Sequence, residues 1–395
     1  MKGQAGPMVS GAARIFSPGR GKRIAVFASF SGKGGVERMI VNLCEGLVAF
    51  GCPVDLVLVK AQSEHLQGLS PEVNVIKLKT SHTFGSVFAL ASYLRRARPQ
   101  ALLAAKDRAG KVAVLARRVS GVDTRVVFRI GTTLSAALEG KSGLRKGLWY
   151  LPMRWLYPLA DAIVAVSKGV AEDLSRITGL PMERFQVIPN PVITPRLAEM
   201  ARAEVDHPWF SESGVPVVMG IGRLTRQKDF PTLIRAFSRV REQVPCRLII
   251  LGEGQDREKL ETLAARMGVK EEVDLPGFAS NPYAWLNRAS LFVLSSAWEG
   301  SPNALTEALA LGVPVVATDC PSGPREILEG GKVGPLVPVG DAELMAEAIK
   351  KILSFPPERD FLKRAAETFT MENSCRRYFE LLLGSGTEEQ VEPSC

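Results

Sequence analysis

The 395-residue chain contains no run of about 18 apolar residues free of charge, so no transmembrane helix is expected. Its opening residues, MKGQAGPMVSGAARIFSPGRGKR, lack a long apolar segment and a cleavage site; residues 1–20 are expected to form a disordered, basic leader rather than a signal peptide. Cysteine is scarce and scattered. Cys44, Cys52, Cys246, Cys320, Cys375 and Cys395 include no Cys-x-x-Cys spacing, which argues against a zinc site or a disulfide framework and fits a reducing cytosol. With only three histidines, His65, His82 and His207, a His-rich metal centre is not expected. The stretch S-G-K-G-G-V-E (31–37) lacks the Gly-Lys-Ser/Thr of a P-loop, because Glu37-Arg38-Met39 stands there.

What is present describes an ordinary globular protein, 46% hydrophobic and 23% charged, and the length predicts roughly two to three domains. The net charge of +9 is unevenly spread: residues 1–155 carry 24 Lys/Arg against 8 Asp/Glu, and the remainder 26 against 33. A basic first half predicts a polyanionic partner, either an anionic membrane surface or nucleic acid; plain solubilising charge is the alternative. No recognised nucleic-acid-binding motif accompanies it, so no nucleic acid is expected. The segment KSGLRKGLWYLPMRWLY (141–157) mixes cations with Trp149, Tyr150, Trp155 and Tyr157, as interfacial helices do, though burial within the domain reads the same residues.

Short β-branched runs alternate with helical patterns, the order of βαβ units around parallel sheets. Strands are predicted at 23–29, 54–59, 73–78, 125–128, 162–166 and 185–188, and again at 217–221, 247–251, 272–275, 291–294 and 314–317. The expected fold class is α/β, with two Rossmann-like, doubly wound domains facing a central cleft. An N-terminal domain spans 21–192, a Pro-rich linker 193–216 and a C-terminal domain 217–368. Residues 369–384 form a last helix packing back on the N-terminal domain, and 385–395 a disordered tail. Open parallel sheets bind ligands beyond the carboxyl ends of their strands, so the chemistry should lie in strand-to-helix loops.

Two loops stand out. In G-I-G-R-L-T-R-Q-K (220–228) a strand runs into Gly222, then Arg223 and Lys228. Glycine allows close backbone approach, and the cations suit a diphosphate whose charge grows as it leaves. A solvated loop with surface cations is the plainer reading. In S-A-W-E-G-S-P-N-A-L-T-E (296–307), Pro302 fits a helix start, placing Glu299 in the loop and Glu307 about one turn inside the helix. Free amides of Asn303, Ala304 and Leu305 would form an anion site. Glu307 can accept hydrogen bonds from a ribose diol, and Glu299 can meet a sugar hydroxyl or a developing positive charge. No Asp-x-Asp occurs, so no metal is expected and positive charge must come from the protein.

With V-I-P-N-P-V (187–192), G-R-L-T-R-Q-K-D-F (222–230), L-G-E-G (251–254), and 299–307 followed by A-L-G-V-P-V-V-A-T-D-C-P-S-G-P-R-E-I-L (310–328), the chain resembles the retaining GT-B glycosyltransferases of family 4, glycosyl transferases group 1. The resemblance implies a retaining hexosyltransferase without cofactor. Arg223 and Lys228 would hold the diphosphate of a UDP- or GDP-sugar, Glu299 the sugar and Glu307 the ribose. The amides of Asn303, Ala304 and Leu305 would cradle the distal phosphate, with Gly222, Gly300, Ser301 and Pro302 shaping the donor site. Gly34 and Gly35 match the family's first loop on the acceptor side. Where many members carry a histidine, this chain reads F-R-I-G-T-T-L-S (128–135), so that either Arg129, Thr132 or Thr133 serves that role or the histidine is dispensable in this branch. A glycan or lipid-linked acceptor of the cell envelope is implied, with the protein cytoplasmic and peripheral on the inner membrane face. A sugar-nucleotide epimerase or hydrolase and a non-catalytic binding subunit are the alternatives.

Overall fold

A computed structural model describes residues 21–384 apart from 31, 33, 81, 141, 212 and 213; the expected leader and tail lie outside the described residues. Thirteen strands make two all-parallel sheets among these residues. The first contains β1 (Ile24–Phe30), β2 (Val54–Ala61), β3 (Val73–Lys77), β4 (Ala101–Ala105), β5 (Arg125–Ile130), β6 (Ala162–Ala165) and β7 (Phe185–Val187). The second contains β8 (Val217–Ile221), β9 (Arg247–Leu251), β10 (Val273–Gly277), β11 (Leu291–Leu294), β12 (Val315–Thr318) and β13 (Leu336–Val337). Their spatial orders are β3-β2-β1-β4-β5-β6-β7 and β10-β9-β8-β11-β12-β13. Central strands such as IAVFASF and LFVL are apolar along almost their whole length because helices cover both faces.

Each sheet is sandwiched between two apolar clusters. The short run A-L-L-A-A of β4, absent from the predicted strands, is fully buried beside β1 and β5. The stretch expected as linker forms two short helices, Leu197–Met200 and Pro208–Phe210, whose Leu197, Trp209 and Phe210 pack into the C-terminal domain. Ile193 bridges Thr370, so the chain crosses between domains twice at one place.

From that crossing the Met371–Leu383 helix returns to the N-terminal domain. It starts with a side-chain cap, the Thr370 hydroxyl accepting from Asn373 N–H at 3.3 Å, and buries Cys375, Tyr378, Phe379 and Leu382 against the first sheet's layer. Its closest approach is to the Gly35–Ala49 helix at Gly46, where an added Cβ would meet Cys375 Sγ at 2.3 Å. Gly46→Ala is therefore expected to destabilise the protein by about 1–3 kcal/mol, the usual cost of overpacking a tight core; urea unfolding followed by circular dichroism measures it, and an unchanged midpoint would refute this packing.

Candidate active site

Each sheet reverses its strand order once, between β1 and β4 in the first and between β8 and β11 in the second. Loops leaving the two strands at such a point open onto one crevice. In the C-terminal domain these are the two loops singled out in the sequence. Gly222 N–H donates to Leu251 O at 2.9 Å and Leu224 N–H to Glu253 O at 3.0 Å, tying the first loop to the exit of β9. Arg223 stays exposed, with no partner for its guanidinium among the described residues. Lys228 turns inward instead, its Nζ 2.6 Å from Oε1 of Glu299. That buried carboxylate oxygen also accepts from Ser296 Oγ at 2.7 Å.

Pro302 is the N-cap of the Asn303–Ala310 helix. The amides of Asn303 and Ala304 have no intrahelical acceptor, whereas Leu305 N–H is already bonded to Pro302 O at 3.1 Å, so two of the three expected anion-binding amides are available. Gly300 and Ser301 lie in the loop before the cap. Glu307, 1% exposed, does sit one turn inside the helix, but Arg38 of the N-terminal domain donates to its Oε1. Its Oε2 has no partner. Arg38 also lies over the Tyr283 ring, 5.0 Å from the centroid. Burial works against the Arg38 charge, but Glu307 and Tyr283 outweigh it and raise the guanidinium pKa.

The acceptor-side residues read from sequence need correcting. Arg129 does not line the cleft. It is 2% exposed, donating from Nη2 to Asn190 Oδ1 at 2.5 Å, with Nε and Nη1 unpartnered. Burial lowers its pKa, opposed by the Tyr378 hydroxyl of the last helix. The reason is strand parity: at Arg129 the side chain of β5 points into the layer that this helix covers. Thr133 is buried too and serves the domain contact, its hydroxyl donating to Glu299 O at 2.7 Å. Thr132 is half-buried, as is Gly34, while Gly35 is exposed at the head of its helix.

Contacts across the cleft are numerous and polar. Asn190 Nδ2 donates to Asn303 Oδ1 at 2.8 Å, and Asn303 Nδ2 to Gly35 O at 3.2 Å. Glu326 accepts from the amides of Lys168 and Gly169 at 2.7 and 2.9 Å, capping an N-domain helix from the other domain. Arg38, Asn190, Tyr283 and Glu326 were not read as site residues from sequence. Arg38 directly follows the Gly-Gly-Val-Glu loop and Asn190 lies within V-I-P-N-P-V, so both motifs held a usable signal. Beside the first C-domain loop, a cavity of about 300 Å³ is lined by Val205, Leu251, Phe278, Asn281 and Trp285 among others. Among the described residues no group of three or more His, Cys, Asp or Glu side chains could hold a metal ion.

Two doubly wound domains whose switch-point loops face each other define the GT-B class of fold. Family models match nearly the whole described chain: Glycosyltransferase Family 4 over residues 33–196 and Glycosyl transferases group 1 over 202–369. The chain belongs to this family of glycosyltransferases. It is 27% identical over 356 residues to an N-acetylgalactosamine-N,N'-diacetylbacillosaminyl-diphospho-undecaprenol 4-alpha-N-acetylgalactosaminyltransferase of Campylobacter jejuni, covering 88% of this chain and 94% of that one. With the lipopolysaccharide core biosynthesis glycosyltransferase LpsE of Rhizobium meliloti it shares 29% over 378 residues, 89% and 97% of the two chains. An uncharacterized glycosyltransferase of Methanocaldococcus jannaschii is 32% identical over 219 residues, 54% of this chain and about half, 53%, of that protein. The fold is shared with Anabaena HepE, solved with UDP and glucose, at a TM-score of 0.74 and 18% identity over 91% of this chain and 99% of that one.

Gly300 sets how closely the domains approach, since a Cβ there would stand 2.3 Å from the carbonyl oxygen of Gly131. Backbone cannot yield as a side-chain tip can. Gly300→Ala should hold the cleft open, measured as a larger radius of gyration in solution scattering at an unchanged melting profile of each domain; an identical scattering curve would sink this.

Proposed function

We propose that the protein transfers a sugar from a nucleoside-diphosphate sugar to a lipid-linked glycan acceptor of the cell envelope, with retention of anomeric configuration and without a metal. The observation that carries this reading is the Lys228–Glu299 pair at 2.6 Å, set at the switch point beside the unpaired Arg223 and the start of the Asn303–Ala310 helix. Cations and free amides there suit the diphosphate of one donor, and the carboxylates its sugar and ribose. Arg223, Lys228 and the two amides stabilise the diphosphate as it departs. Glu299 meets the sugar, and Glu307 offers its unpartnered Oε2 to the ribose. The cavity beside Phe278 and Trp285 offers a nucleobase aromatic side chains together with polar groups such as Asn281. In the retaining reaction the departing phosphate oxygen takes the acceptor proton on the face it leaves. The lipid-linked acceptor rests on the names of the Campylobacter and Rhizobium relatives.

Arg223→Ala and Glu299→Ala should each lower transfer at least 100-fold, the scale on which a lost transition-state contact acts. The donor for that assay comes from a thermal-shift screen of UDP- and GDP-sugars, since a bound ligand raises apparent stability by mass action. Near wild-type turnover in either variant would overturn the assignment.

Attachment to an anionic membrane belongs to the same proposal. No described helix is long and apolar enough to cross a membrane. The Gly143–Leu156 helix is split by face: Met153 and Tyr157 just beyond it are buried and Tyr150 packs on the core, while Leu148 (64% exposed), Leu151 and Trp155 (72% exposed) point outward beside Arg145, Lys146 and Arg154. Such a face inserts apolar rings at the headgroup level and meets anionic lipid with its cations. Leu148→Ser with Trp155→Ser should reduce co-sedimentation with phosphatidylglycerol vesicles at least threefold, and undiminished binding would exclude this helix.

A further inference from the structure

Both domains share one wiring, yet only three of the four switch-point loops have a role so far. The loops after β8 and β11 carry the donor residues, and the loop after β1 carries Gly34 and Gly35. The fourth leaves β4 at Lys106, the residue that follows this strand and caps the start of the Asp107–Ser120 helix. Its place in the first sheet is that of the Glu299 loop in the second.

Lys106 is unusual on three counts. Its backbone has φ +83° and ψ 155°, a conformation that L side chains rarely adopt, held by a 2.9 Å bond from its N–H to Arg129 O. The side chain is exposed toward the cleft and makes no ion pair or hydrogen bond among the described residues. Three charged groups stand within electrostatic reach: Glu37, Arg129 beneath it and Arg223 from the opposite domain. One carboxylate thus faces three cations, and one of these, Arg129, is deeply buried with two unpartnered nitrogens. Like charges in excess of their counter-charge destabilise a fold unless an anion joins them.

We infer that Lys106 binds a phosphate group of the acceptor, across the cleft from Arg223. The inference rests on the donor occupying the C-domain crevice, which leaves the N-domain crevice between β1 and β4 to the acceptor. Lys106 is then a specificity residue: it favours acceptors with a phosphate close to the hydroxyl that receives the sugar, as in a short glycan on a lipid diphosphate. Its ammonium supplies a point charge with three rotatable donors, suited to phosphate oxygens whose exact orientation varies.

The test uses the full chain, farnesyl diphosphate as a lipid diphosphate, and titration calorimetry with UDP held at saturation so that the donor phosphate site is filled. Lys106→Gln should weaken farnesyl diphosphate binding at least tenfold, Lys106→Arg no more than threefold, and UDP affinity should stay within twofold in both. Equal farnesyl diphosphate affinity in wild type and Lys106→Gln, or no binding to wild type, overturns the inference. A parallel loss of UDP affinity also overturns it, by assigning Lys106 to the donor diphosphate. If wild type binds neither UDP nor GDP, the donor reading falls by itself, while the dependence of farnesyl diphosphate binding on Lys106 still decides this one. Matching thermal melts of the variants separate lost binding from lost fold.

Discussion

The Arg38–Glu307 ion pair is the contact on which the architecture of the cleft depends. It joins the first helix of one domain to the core of the other, with the carboxylate almost wholly withdrawn from water. A carboxylate so placed is costly unless paired, and removing one partner of a buried pair typically costs about 3–5 kcal/mol. Glu307 cannot be relieved locally, because Leu305, Ala308 and Leu309 around it are apolar and buried. Its charge is met only when the domains are together. The same pair leaves Oε2 without a partner, so one carboxylate closes the cleft and keeps an acceptor for a hydroxyl.

Around that pair, small residues and backbone groups do the close work. Gly131 faces Gly300, Thr133 reaches the Glu299 carbonyl, and Ser167 meets Ser322 at 2.6 Å. Each is a direct polar or van der Waals contact between loops at carboxyl ends of strands. Individually such hydrogen bonds contribute about 1 kcal/mol. Their arrangement matters more than their sum, because every one of them disappears if the domains separate. The loops of both domains that border the cleft are therefore positioned by the same set of contacts.

The two C-domain loops at the switch point were legible in the sequence because their pattern is local. Gly222, Arg223 and Lys228 lie within seven residues, and Pro302 sets the start of the helix that holds Glu307. The two-domain alternation was legible for the same reason, as each βαβ unit is written in consecutive residues. What sequence could not give was pairing across the cleft, since Arg38 and Glu307 are 269 positions apart and meet only after both domains form. Arg129 misled for a different reason. A cation at a strand end looks like a site residue, but its burial was decided by the returning C-terminal helix and Tyr378. The alanine-rich β4 lacks β-branched residues, so its strand, and Lys106 at its end, did not stand out.

The two cations of the loop proposed to hold the donor, Arg223 and Lys228, stand in opposite states, which on that proposal orders how a diphosphate would be received. Arg223 is exposed and unpaired, so an incoming anion meets it without breaking any protein contact. Lys228 is held at 2.6 Å by Glu299, which also keeps the Ser296 hydroxyl. To serve a phosphate, Lys228 must share or exchange its carboxylate. That exchange is cheap in electrostatic terms, because Lys228 is already partly desolvated and trades one anion for another. Glu299, released in part from Lys228, keeps Ser296 and becomes free to accept from a sugar hydroxyl. A diphosphate alone or a sugar alone would do half of this. On the proposed donor reading a sugar nucleotide would do both, its phosphate drawing Lys228 away as its sugar meets the carboxylate.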